Sequence, residues 1–136
     1  MSDLAVAIYN KSQEPSTFKT LINGRFSWDK NPQVSQGEVP NYPYVVCHEI
    51  TDDYWFTFHE DFQEPRIQMN VYSDSTSLIE VEDIYKALID HFDWCTLTIS
   101  NYKHLKMQRL LKKRFWDDKK SEYIITVDYL VQMQKS

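Results

Sequence analysis

The sequence predicts an α+β domain: a mainly antiparallel sheet with an N-terminal helix and an amphipathic helix over residues 77–93 packed on one face. Three observations predict it. In residues 66–72, Ile67, Met69 and Val71 alternate with Arg66, Gln68, Asn70 and Tyr72, as in a strand with one buried face. Directly afterwards the period changes, and Val81, Ile84, Tyr85, Leu88 and Phe92 recur at helical spacing, leaving Glu82, Asp83, Lys86 and Asp90 for solvent. Near the C-terminus two extended stretches, residues 104–116 and 122–132, are joined by Asp117-Asp118-Lys119-Lys120, as in an antiparallel hairpin. Neither a one-sided strand nor an amphipathic helix can bury its apolar side alone, so a helix laid across a sheet is the simplest product.

From the N-terminus, Asp3 is placed to cap a short helix carrying Leu4, Val6, Ala7 and Ile8. Ser16 or Thr17 opens a second, with Phe18, Leu21 and Ile22. Asn23-Gly24 ends it, with Gly24 where a left-handed C′ residue is wanted. Arg25-Phe26-Ser27-Trp28 reads as a short strand or extended entry. Residues 29–41, with Pro32, Gly37 and Pro40, read as a polar loop of a length that is usually functional or mobile. Pro43 opens an extended run over residues 44–50, whose β-branched content supports a strand, and Thr51-Asp52-Asp53 reads as a turn. Beyond it Tyr54, Phe56, Phe58 and Phe62 share one face and Trp55, Thr57, His59 and Asp61 the other. This aromatic strand either stacks on the core or stands out from it as a hairpin. Pro65 has no N–H to donate and suits the first residue of the strand at 66–72, while Ser73-Asp74-Ser75-Thr76 suits its end. Ser77 followed by Glu80 spells a capping box at the start of the helix. Residues 95–99 form a further β-rich run. Within the C-terminal hairpin, residues 105–114 are rich in helix formers, and only the partner strand argues for extended chain there.

The length of 136 residues fits one domain, residues 1–136, large enough to bury about two thirds of its unfolded surface. With 42% hydrophobic and 15% aromatic residues the chain is not of the disordered class, and no apolar run approaches a membrane span. The N-terminus has no basic region and its apolar run ends at Tyr9, so no signal peptide is expected and the chain is expected to be made in a reducing cytosol. Cys47 and Cys95 are too few for a disulfide framework and read as two small buried hydrophobes. The net charge of -5 argues against a generic nucleic-acid binder. Charge is nevertheless unevenly placed: residues 101–120 hold eight Lys or Arg against only Asp117 and Asp118, leaving the remainder strongly acidic. Such separation favours oriented association with copies of the chain or with a charged partner.

Sites for chemistry are hard to assemble. His48, His59, His91 and His104 fall at no recognised metal spacing, and His48-Glu49 has no second histidine four residues after the first. In a strand, adjacent side chains point to opposite faces, which separates His59, Glu60 and Asp61 and likewise Cys47 from His48. Gly24 and Gly37 are the only glycines and stand alone, so no phosphate cradle forms. Glu80, Glu82, Asp83, Asp90 and Asp93 lie on or beside the wet side of the helix, where charge is ordinary. No catalytic, cofactor-binding or metal-binding residue is expected. The aromatics point elsewhere: four Trp and nine Tyr exceed what one small core readily buries, and Tyr, Trp and Arg anchor interfaces. The interface candidates are Trp28, Trp55 and Trp116, each beside a predicted loop or turn, with Phe56 and Phe58 and the basic Lys112, Lys113 and Arg114.

Asn23-Gly24-Arg25-Phe26, a polar loop with Pro32, Pro43-Tyr44-Val45-Val46, and Arg66-Ile67-Gln68-Met69-Asn70-Val71-Tyr72 before a capped helix resemble, in order and spacing, the phage tail completion proteins. These are small virion proteins, also carried in prophages, that close the head-proximal end of a long tail and join it to the head. The resemblance runs from about Leu4 to Gln132. It implies a ring-forming structural subunit, expected to be a hexamer, with no catalytic residues and no cofactor. Its expected partners are the tail tube protein and head-connector proteins, with DNA passing through the ring without specific binding and no membrane involved. The expected location is the virion, in the tail or neck, after synthesis in the host cytoplasm. Three other readings stand beside it: a head-completion or neck protein; a small hydrolase or ligand-binding protein with a pocket between the 77–93 helix and the sheet, tested at His48 or His59; and a host-takeover factor that binds one host protein.

Overall fold

The alternation over residues 66–72 becomes the middle of a five-stranded sheet in a computed structural model of the chain. The structure describes residues 3–29, 41–56 and 61–135, and at 51–56 and 61–62 the backbone only. In chain order the elements are α1 (Asp3–Ser12), α2 (Thr17–Ile22), β1 (Phe26–Trp28), β2 (Tyr44–Phe56), β3 (Asp61–Ser73), α3 (Leu78–Phe92), β4 (Tyr102–Asp117) and β5 (Glu122–Lys135). The sheet order is β1-β2-β3-β5-β4. All neighbours are antiparallel except β1 and β2, so the fold is α+β with a mainly antiparallel sheet.

The helices lie on one face because that is where the apolar alternation points. Val81, Ile84, Leu88 and Phe92 of α3 join one buried cluster with Ile67, Met69 and Val71 of β3 and Ile125, Val127, Tyr129 and Val131 of β5. Leu4 and Ile8 of α1 and Phe18 and Ile22 of α2 complete it. The rings of Phe18, Phe26 and Phe92 meet at centroid distances of 5.7–6.4 Å. Truncating such a side chain, for example Leu88→Ala at 0% exposure, costs about 2–5 kcal/mol. The space between α3 and the sheet is thus filled by side chains, where a hydrolase or ligand-binding protein of the kind considered above would hold its pocket.

The helix ends follow local chemistry, with adjustments. Asp3 is the first residue of α1 and not its cap, and its carboxylate sits in the first turn, where the helix dipole favours it. Ser16 caps α2 by accepting the Lys19 N–H at 3.1 Å. Both Asn23 (φ 52) and Gly24 (φ 72) are left-handed at its end, and the Gly24 N–H closes on the Lys19 carbonyl at 2.9 Å. Ser77 caps α3 through the Ile79 N–H, but the reciprocal half of the expected capping box is missing. Glu80 instead accepts from the buried Ser73 hydroxyl at 2.5 Å, and the Ser77 N–H turns to Ser75 Oγ. Arg25 fixes the entry to β2, donating to the carbonyls of Tyr42 and Pro43 at 2.8 and 2.9 Å.

Several strand expectations are corrected. Thr51-Asp52-Asp53 is not a turn; β2 runs through it, with a bulge between Glu49 and Thr51, and stays paired to β3 as far as Phe56 opposite Asp61. The bulge takes up the extra residue and lets the ladder resume, so a polar cluster that reads as a turn stays extended. The aromatic run is therefore divided between the end of β2 and the start of β3, with 57–60 outside the described residues. Pro65 does not open β3, which begins four residues earlier at Asp61; the β3–β5 ladder instead skips Glu64 and Pro65, where a donor is lacking. Residues 95–99 alternate in burial, with Leu97 and Ile99 inside, yet form no strand. The Leu97 N–H goes to His104 Nδ1 at 3.0 Å in place of a ladder partner. Cys47 is buried, whereas Cys95 is only half-buried, its Sγ 3.6 Å from Met107 Sδ. Residues 105–114, open between helix and strand from sequence, are strand, because pairing along β5 overrides their helix propensity. The polar loop predicted over 29–41 lies outside the described residues from 30 to 40.

Candidate functional site

The basic segment predicted from charge counting is β4, at one end of the sheet order. Regular alternation would put Arg109 and Lys112 on opposite faces. A bulge between Arg109 and Leu111 resets the alternation, so that Arg109, Lys112 and Arg114 stand beside Tyr129, Val127 and Ile125, all on the helix side. There they close over α3. Lys112 Nζ donates to both oxygens of Glu82 at 2.9 Å and lies 4.3 Å over the Tyr85 ring, and Arg114 Nη1 donates to Glu82 at 2.7 Å. Arg109 donates to the Tyr85 hydroxyl at 2.6 Å and pairs with Asp93 at 3.6 Å; the same Asp93 accepts from the buried Tyr129 hydroxyl at 2.6 Å. Burial works against ionising Glu82, but the hydrogen bonds and charge of Lys112 and Arg114 outweigh it and hold the carboxyl below the usual glutamate range. Burial, and then the bond to Asp93, push the Tyr129 hydroxyl far up, so it stays a proton donor.

Glu82 was expected on the solvent side of the helix; its side chain is only 17% exposed because β4 covers it. Sequence reasoning also missed Arg109, Tyr85, Asp93 and Tyr129 as one network.

On its other face β4 presents Lys103, Lys106, Gln108, Leu111, Lys113 and Phe115, paired with Gln134, Gln132, Leu130, Asp128, Thr126 and Ile124. Leu111 and Phe115 are 51% and 43% exposed, as is Leu110 at the bulge at 42%. The helices pack on the opposite face, so among the described residues this one carries no helix. Its centre is a polar ladder: Asp128 receives Arg66 at 3.2 Å and Gln68 at 3.0 Å, and Asn70 receives the Thr126 hydroxyl at 2.7 Å. Toward one end Tyr44 stacks on Tyr72 at 4.7 Å and Tyr42 donates to the buried Glu122 at 2.5 Å.

The interface candidates separate in this frame. Lys113 is exposed on the helix-free face, and Trp116 is 39% exposed, edge-on to Tyr123, with its indole N–H on Asp118. Lys112 and Arg114 are engaged within the chain. Trp28 packs half-buried against the core from β1. Trp55 and Phe56 end β2, and Phe58 lies outside the described residues. The most exposed large aromatic described is Trp94, 66% exposed just after α3, which the sequence reading passed over. A tryptophan two residues after the last periodic helix position, Phe92, was the signal available.

Elsewhere the surface is shallow in chemistry. A groove of about 510 Å³ between α2 and α3 is flanked by Asp83, Lys86, Asp90 and His91, and His91 already meets the Lys11 carbonyl at 2.6 Å. Among the described residues no three His, Cys, Asp or Glu gather as metal ligands would, and no helix is long and apolar enough to cross a membrane.

No family model matches the chain, and no curated protein matches it. Among solved structures it is similar to a chain from the virion of a native gene transfer agent (GTA) particle, with a TM-score of 0.77 and 15% sequence identity over 96% of this chain and 94% of that one. At that identity the likeness is one of fold, and it extends over almost the whole of both chains.

Proposed function

We propose that this chain is a structural subunit of a tailed-phage or prophage virion, one that caps the head-proximal end of the tail and joins it to the head. The observation that carries the reading is the fold shared with a protein of a gene transfer agent virion over 96% of this chain. The narrower role at the tail end is supported by the resemblance of the sequence to phage tail completion proteins. A core filled with side chains under α3 favours a protein that works by contact.

In this reading the chain is made in the host cytoplasm and acts as a ring, expected to be hexameric, between the tail tube protein and head-connector proteins. It needs no cofactor and no catalytic residue. An acidic subunit, net -5, lets DNA pass through without specific binding. Trp28, Trp55, Phe56, Phe58, Lys113 and Trp116 are the contact residues, whereas Lys112 and Arg114 contribute by holding β4 to α3.

Electron microscopy of particles assembled without this protein tests the role. The expected result is tubes of irregular length or tails detached from heads; normal, attached tails would refute it. Copurification with filled heads and never with tails would move the protein to the head-completion side of the joint.

A further inference from the structure

Among the described residues, both outer edges of the sheet are half covered, and at opposite ends. On β2, parallel β1 pairs with residues 45–47, and the Asp29 N–H closes on the Cys47 carbonyl at 2.7 Å. From residue 48 to 56 no described strand lies outside it. On β4 the covered half is the other one. The segment after α3 runs back along it, with the Trp94 N–H on the Met107 carbonyl at 2.9 Å and the Leu97 N–H on His104. From residue 108 to 117 no described strand lies outside β4.

The two open stretches match in composition. The one on β4 carries Lys113, which takes no part in the contacts to α3 that engage Arg109, Lys112 and Arg114, with exposed Leu110, Leu111, Phe115 and Trp116. The one on β2 carries Glu49, Asp52 and Asp53, ends in Tyr54-Trp55-Phe56, and has the 41% exposed Ile50 at its bulge. Sheet edges that must stay unpaired are usually kept short, charged, bulged or covered. Here the bulge within each of the two stretches puts an exposed aliphatic side chain at the edge, Ile50 on β2 and Leu110 on β4.

Strand direction fits as well. Because β2, β3, β5 and β4 alternate in direction, a second copy in the same orientation sets its β2 antiparallel to the β4 of the first.

We infer that copies of this chain join head to tail along a staggered sheet seam, residues 108–117 of one copy pairing antiparallel with residues 48–56 of the next. The stagger follows from the half-covered edges, since copies set level would drive β1 of one against the open half of β4 of the other. A head-to-tail contact leaves an open edge at each end and closes only as a ring. The seam rests on the ring reading proposed above and says which residues make it.

The test is a charge exchange in the full chain, read by sedimentation across concentration. Lys113→Glu and Asp53→Lys, both on the helix-free face by their registers opposite Thr126 and Glu64, are singly expected to raise the concentration at half-assembly by about fivefold. The two together restore it. Lys113 makes none of the hydrogen bonds or ion pairs that hold α3 to β4, so its reversal leaves the fold in place, which an unchanged Tm verifies. Hydrogen exchange gives the second readout, with peptides covering 108–117 and 48–56 gaining protection on assembly. Rings that form while both peptides exchange as in the single chain would overturn the seam and leave the ring reading standing. A chain that stays single at every concentration would overturn the seam, and the virion role is then judged separately by the particles assembled without it.

Discussion

The two faces of β4 carry the same kind of cation to different ends. On the helix side Arg109, Lys112 and Arg114 are spent on Tyr85, Asp93 and Glu82, where they hold α3 against the sheet. On the helix-free side Lys103, Lys106 and Lys113 stand among exposed Leu111 and Phe115. A stretch that looks uniformly basic in sequence is therefore half internal fastening and half surface. What divides it is a single bulged residue, Leu110, which moves Lys112 and Arg114 onto the side of Arg109.

The largest difference between the faces is expected at Glu82. Glu82→Ala removes the acceptor shared by Lys112 and Arg114 and leaves two cations facing each other over the helix. It should lower unfolding stability by about 1–2 kcal/mol in urea titrations. A loss no larger than that of an ordinary surface change would mean that the network ornaments the surface.

Acid acts on the same contact. The Glu82 carboxyl is held below its unfolded value, so its contribution is complete above the ordinary glutamate pKa of about 4.3 and is lost as pH falls through the lowered folded value. Stability of the native chain should therefore fall more steeply with acid than that of Glu82→Gln, which lacks the titrating group. Parallel curves for the two proteins would contradict the assignment.

The smallest effect belongs to the other face. Lys113→Ala should change stability of the single chain by less than about 0.5 kcal/mol, whatever it does to association. A substantial loss of Tm would show that Lys113 too has a structural task.

Much of the fold was legible because it is written in periods. The alternation of Ile67, Met69 and Val71 and the helical recurrence of Val81, Ile84, Leu88 and Phe92 gave β3, α3 and the face on which they meet. Ser16, Asn23 and Gly24 bounded α2 through local chemistry that needs no distant partner. Where a distant partner decides, the sequence reading failed. Thr51-Asp52-Asp53 carries turn residues, yet β3 keeps it in a ladder. Residues 95–99 alternate like a strand but form no ladder, because the Leu97 N–H goes to the His104 side chain of β4 and not to its backbone. Glu82 sits on the polar side of its helix, and only β4, thirty residues further on, turns that side inward. The candidate site was legible to the same extent: composition found the basic segment and Trp116, but not which of its cations were already taken.

In the proposed role this protein fits between other virion proteins at the head end of a tail. Electron microscopy of intact particles carrying a labelled copy of this chain tests that most directly. Label is expected at the junction of tail and head in every complete particle. Complete, normal particles that contain none of the chain would contradict it.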